Sequence, residues 1–247
     1  MKARKSNPQK VSLFAGITQT SICIVGVLYL SSCASPSYQK ADSASSSLQR
    51  AAMEINTENR AIDATMNALD DLVNKPAADL RPQFARFNAA LNWLEDSSKR
   101  AENAANEADK KSEEYFQTWD KQMANIHYEA VRDQSVSRKT QVSDELNTVD
   151  QRYHQNQAVV EPLIAYLRDI RTSLSVDLTA GGIASVKPLA ENAEQNARKV
   201  QSALAQLSGD LADSGTKMST LVSQQDTQPK GGVSDNTQTI QQRAESR

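Results

Sequence analysis

Between Phe84 and Ile126 the apolar and small residues recur at steps of three and four. They are Phe84, Phe87, Leu91, Leu94, Ser98, Ala101, Ala105, Ala108, Ser112, Tyr115, Trp119 and Ile126, with Gln122 the one polar break. A period near 3.5 residues marks a helix that packs lengthwise against other helices. Neither Gly nor Pro interrupts the run. Its middle is narrow, of Ala and Ser, and its ends are bulky. Each fully buried large residue contributes about 1.5–3 kcal/mol and each Ala less than half that, so the ends are expected to hold more tightly than the middle.

Three further segments share the period. Leu48, Ala52, Ile55, Asn59, Ile62, Met66, Leu69 and Val73 form a seam over 44–73. Asn59 is its one polar member, either a register-fixing buried Asn or a residue at a solvated edge. Asn74-Lys75-Pro76 stops that helix, because Pro lacks the amide and disfavours helix before it. Asp79 and Pro82 suit the cap and first turn of the next. A third seam runs Val142, Leu146, Val149, Tyr153, Asn156, Val160, Leu163, Leu167, Ile170 and Leu174. It is one residue out of phase with the Phe84 seam. The shift predicts a reversal or sharp bend near 131–137, the alternative being one continuous helix of about 90 residues, some 135 Å long. Pro162 lies inside this segment and predicts a kink.

The break before the last helix is expected within 173–182, most sharply at Gly181-Gly182. The helix then starts at Ile183 or Ser185, with Ser185 as cap and Pro188 in its first turn, and runs to Val222. Its seam is Val186, Ala190, Ala193, Ala197, Val200, Leu204, Leu207, Leu211, Ser214, Met218 and Leu221. The predicted fold is all-α: an elongated antiparallel bundle of three to four long coiled-coil-like helices over 44–224. A polar tail with little to bury, 225–247, reads as disordered.

Charge and the N-terminus change the picture. Residues 1–32 hold Lys2, Arg4, Lys5 and Lys10 and no acid, then an apolar stretch from Val11 to Leu30. Leu30-Ser31-Ser32-Cys33 follows. A basic start, an apolar core and small residues before a cleavage point are the parts of an export signal. Leu30, Ser31, Ser32 and Cys33 resemble the bacterial lipobox, in which the Cys becomes the acylated first mature residue. The alternative is an uncleaved membrane helix over Val11–Leu30, long enough to span but carrying the polar Thr18-Gln19-Thr20-Ser21 in its middle. Cys23, preceded by Ile22, is a poor lipidation site. The Ser-rich stretch 33–43 reads as a flexible tether. Ala34 after the Cys, rather than Asp, resembles the pattern of Gram-negative lipoproteins sorted to the outer membrane. With Cys33 acylated and Cys23 removed, no disulfide is expected. Without its leader the chain has 24 basic and 30 acidic residues, which argues against a nucleic-acid partner.

Chemistry is sparse. A di-iron bundle site needs Glu-x-x-His pairs, and Ala124 and Gln151 stand three residues before His127 and His154, the only two histidines. Glu113-Glu114 and Asp144-Glu145 read as solvated faces. No phosphate loop and no nucleophile–base set is visible, so no catalytic residue, metal, cofactor or small-molecule substrate is expected. Trp93, off the seam, is the better candidate for an exposed contact; Trp119 reads as core.

Trp119, Val160-Glu161-Pro162-Leu163-Ile164, Leu167-Arg168-Asp169 and Ile183-Ala184-Ser185-Val186-Lys187, in that order, resemble a family of bacterial coiled-coil lipoproteins known only as a domain of unknown function. The likeness spans about Phe84 to Leu207. Gly181-Gly182 and Pro188 depart from it and leave the last helix boundary open. The resemblance implies a lipobox followed by long charged helices, and brings no activity. The expected role is structural or scaffolding, on the inner leaflet of the outer membrane facing the periplasm. Expected partners are membrane lipid through Cys33 and envelope proteins or a second copy. The alternative is an adaptor subunit of a transport or secretion complex.

Overall fold

A computed structural model describes residues 36–226. Residues 1–35, which include the expected leader 1–32 and Cys33, and residues 227–247 lie outside the described residues. Four helices follow in order: α1 (Pro36–Asn74), α2 (Arg81–Met123), α3 (Glu129–Val176) and α4 (Ala180–Asp226). α1 packs against α2 and α4, and α3 closes the ring against the same two. Short connections make each neighbour antiparallel.

The seams explain the spacing. α1 approaches α2 and α4 closely, and α3 approaches both less closely. The faces that meet at α1 carry small residues: Ala44, Ser45, Ala51 and Ala52 on α1, Ala101 and Ala104 on α2, Ser214 and Gly215 on α4, all buried. Small side chains let backbones approach. At Gly215 a Cβ would stand 3.0 Å from the Ser45 carbonyl oxygen, and the Ser45 hydroxyl donates to the Gly215 carbonyl at 2.7 Å. α3 instead offers Val160, Leu163, Leu167, Ile170 and Leu174, which hold its neighbours further off. The narrow Ala middle of α2 is therefore a close intramolecular contact.

The α3 and α4 seams are buried as predicted, with Leu146 partly exposed and the Leu221 side chain outside the described set. α3 continues through Pro162, which sits on its exposed side. α1 ends at Asn74 before Pro76, as predicted. It begins at Pro36, however, not near 44, so 36–43 of the expected tether is helical, and Ala41 is buried in the core. Similarly, α4 begins at Ala180, with Thr179 rather than Ser185 at its start. The Gly182 amide donates to the Thr179 hydroxyl at 3.2 Å and the Ile183 amide to the Thr179 carbonyl at 2.9 Å. The break lies at Asp177–Thr179, Gly181-Gly182 belong to the first turn, and Pro188 lies inside the helix. α4 runs to Asp226, which takes in the first two residues of the expected tail.

The chain does reverse, but at 124–128 rather than 131–137, and the 90-residue continuous helix is excluded. Near the end of α2 the amides of Asn125 and Ile126 bond back to the Gln122 and Met123 carbonyls at 3.1 and 3.0 Å. These tight i→i+3 bonds close the helix. Beyond them the Trp119 indole N–H donates to the Ser135 hydroxyl at 2.9 Å, and Lys139 pairs with Asp120 at 2.6 Å. Both contacts lock the α2–α3 hairpin, and Trp119 is partly buried in it.

The α1–α2 loop is fixed by Gln83, a residue next to the predicted seam position Phe84. Its amide donates to the Asp71 and Lys75 carbonyls at 2.8 and 2.9 Å, and its oxygen accepts the Ala77 amide at 2.8 Å. Asp79 accepts the Arg81 amide at 3.1 Å. Gln83→Ala should cost about 1–2 kcal/mol, because three hydrogen bonds that tie a partly exposed loop are lost. A urea midpoint equal to wild type would contradict that assignment.

Candidate functional site

The bundle interior is mostly apolar, with buried hydroxyls such as Ser45, Ser112 and Ser214 spread along it, and near its middle it holds a buried acid. That acid is Glu58 on α1, a residue with no exposed surface. Sequence periodicity points to Asn59 as the inward polar position. Asn59 is only half-buried, and its side-chain amide donates to the Gln201 carbonyl on α4 at 3.2 Å. Glu58 turns inward because α1 lies close to both α2 and α4, so it buries a second stripe: Ala44, Ala51, Glu58, Thr65 and Leu72. The seven-residue spacing of that stripe was the signal available in the sequence, masked by its two polar members.

Neither Glu58 carboxylate oxygen has a hydrogen-bond partner. Burial pushes its carboxyl up to about 7, and the nearby Ser98 side chain, placed outside hydrogen-bond geometry, offsets this only slightly. On α3 the Tyr153 hydroxyl and the Gln157 amide nitrogen are likewise buried without partners, and Asn156 is buried beside them. Register places these residues together. Asn59 meets Gln201, and Arg152 pairs with Asp210, so Asn59 lies level with about residue 161 of α3. Gln157, Asn156 and Tyr153 then fall one to two turns from Glu58, towards the α1 N-terminus. The Tyr153 phenol is pushed up by burial and by the surrounding carboxylates of Glu102, Glu58, Asp109 and Glu161.

Further along, Asp109 on α2 faces Asp150 on α3. Partial burial and the facing carboxyl push Asp109 up to about 6, as two carboxyls sharing one site cannot both ionise freely. His154, exposed, stands with Nε2 3.4 Å from Asp150 Oδ1 and packs edge-on to Tyr153. His127 is exposed at the hairpin tip. Glu114 pairs with Lys40 at 2.5 Å and Glu145 with Lys217 at 3.2 Å, so these acids serve ion pairs between helices. Trp93 is 38% exposed. Among the described residues, no three His, Cys, Asp or Glu side chains converge as a metal site, and no helix is long and apolar enough to cross a membrane. The candidate lipidation residue Cys33 and its lipobox, Leu30, Ser31 and Ser32, lie outside the described residues.

Fold and interior together define an antiparallel four-helix bundle with a buried acid-containing layer. The chain belongs to the family described as protein of unknown function DUF2959, whose model matches residues 29–221. No curated protein and no solved structure matches it.

Proposed function

We propose that this is a lipid-anchored periplasmic bundle protein with a structural or scaffolding role in the cell envelope, attached to the inner leaflet of the outer membrane and without catalytic activity. The carrying observation is Leu30-Ser31-Ser32-Cys33 after a basic, apolar leader, three residues before α1 begins. The family's matched span starts at residue 29 and so includes this quartet. The three acyl chains of a lipoprotein exceed what stable attachment needs, since a single chain holds only reversibly. Cys33→Ala should abolish palmitate incorporation and leave an uncleaved precursor; unchanged labelling would overturn the reading.

The adaptor alternative draws on Trp93 and Met53, large apolar residues exposed on the flanks of α2 and α1. Crosslinking in whole cells from a photoreactive residue at 93 separates the two. One stoichiometric partner favours the adaptor, and self-crosslinks favour the scaffold.

A further inference from the structure

We propose that the tip of the α2–α3 hairpin is a membrane-contact surface, on which Tyr128 and Val131 enter the lipid interface beside the acyl anchor. The inference rests on acylation of Cys33. Its structural basis is a mismatch in helix ends. Lys40 pairs with Glu114, so the start of α1 at Pro36 lies level with about residue 118 of α2. Yet α2 continues to Met123, about 7–8 Å further at 1.5 Å per residue. The other side agrees. Lys217 pairs with Glu145, so the end of α4 at Asp226 lies level with about residue 136, and α3 starts seven residues beyond, at Glu129.

The hairpin thus overruns both neighbouring helices by about 8–10 Å. Cys33 is three residues from Pro36, at most about 11 Å of chain. That length is enough to cover the overrun, so an acylated Cys33 would not hold the tip away from a membrane.

The exposed side chains at that tip fit a lipid surface. Tyr128 is 81% exposed and Val131 56%, with Ile126 partly exposed beside them. Tyr, with an apolar ring and a polar end, is suited to the headgroup level. The nearby charges balance: Lys121 and Arg132 against Glu129 and Asp133. The contact is therefore apolar and does not depend on anionic lipid. So small a surface would hold a free domain poorly. A covalent anchor at the same end makes the contact intramolecular, at high effective concentration.

The test uses the acylated full chain in phosphatidylethanolamine vesicles. An environment-sensitive fluorophore is attached through Tyr128→Cys, through Val131→Cys, or through Val176→Cys, the last being 85% exposed at the opposite end of α3. Headgroup-level spin-labelled lipid should quench the probes at 128 and 131 several-fold more than the probe at 176, equally with and without phosphatidylglycerol. Flotation of the protein with equal quenching at 128, 131 and 176 would overturn the tip contact while keeping the anchor. A probe at 128 blue-shifted without vesicles would mean self-association at this end and would also overturn it. Failure to float, with Cys33 itself taking the label, would sink the anchor and this contact together.

Discussion

Glu58→Gln is expected to remove most of the pH dependence of stability between pH 6 and 7.5 and to raise stability at pH 8 by about 2–3 kcal/mol. The sign follows from the direction of the shift. Burial pushes the folded carboxyl up to about 7 from an ordinary 4.5, so the folded state binds the proton more tightly. The stabilisation from that proton is complete below about pH 4.5 and is lost as pH rises to 7. A shift of that size amounts to about 3 kcal/mol. The cause is a carboxylate buried without a hydrogen bond, so a same-shaped neutral side chain avoids the cost of ionisation. Glu58→Leu should be more stable still at high pH, since replacing a buried charge by an apolar group is often stabilising. Asp109, raised to about 6, acts in the same direction but mostly at lower pH, which makes the interval above pH 6 diagnostic. Denaturant midpoints measured across pH 4.5–8.5 decide it: a variant with the wild-type slope would refute the assignment.

Gly182→Ala is expected to destabilise by about 3 kcal/mol, whereas Gly181→Ala, one residue away, should be neutral or stabilising by up to about 1 kcal/mol. A Cβ on Gly182 would stand 2.0 Å from the Asp177 carbonyl oxygen and 3.0 Å from its carbonyl carbon. Backbone occupies that space, so either the loop moves or the first turn of α4 unwinds. Moving the loop costs the upper part of the range for overpacking. Unwinding gives up the Thr179 cap, about 1 kcal/mol, and the burial of Ile183, about 2 kcal/mol. The two routes cost about the same. On Gly181 a Cβ meets only the Thr179 hydroxyl at 3.6 Å, an ordinary contact, and Ala favours helix over Gly. Thermal unfolding of the pair tests this, and equal midpoints would count against the close approach.

These two sites show how far the sequence reaches. The gaps between its seams pointed to three or four helices, and α3 and α4 bury the predicted positions almost one for one. Each of those faces is a narrow stripe, and a stripe of period 3.5 is legible without a partner. Family membership was legible too, from short runs such as Val160-Glu161-Pro162. The reversal was legible as a loss of phase, yet misplaced by about seven residues. The phase is lost over 131–136 because the hairpin overruns α1 and α4 there, leaving Val131 and Val136 exposed. The chain turns earlier, at 124–128.

Of the polar layer, Tyr153 and Asn156 fell on the predicted α3 seam and are buried, whereas its acid was not legible. Glu58 is inward because α1 lies close to both of its neighbours, and how closely helices approach is a property of the assembled bundle. Gly182 read as a helix breaker, because a glycine demanded by a close backbone approach is indistinguishable in sequence from one demanded by a turn. Sequence alone therefore determined which residues form helices and the stripe each helix buries, since both follow from local periodicity. Tertiary structure decided how wide each buried face is, where an acid is trapped inside and which helix ends stand free. Those depend on which helices meet and at what height, which no single segment encodes.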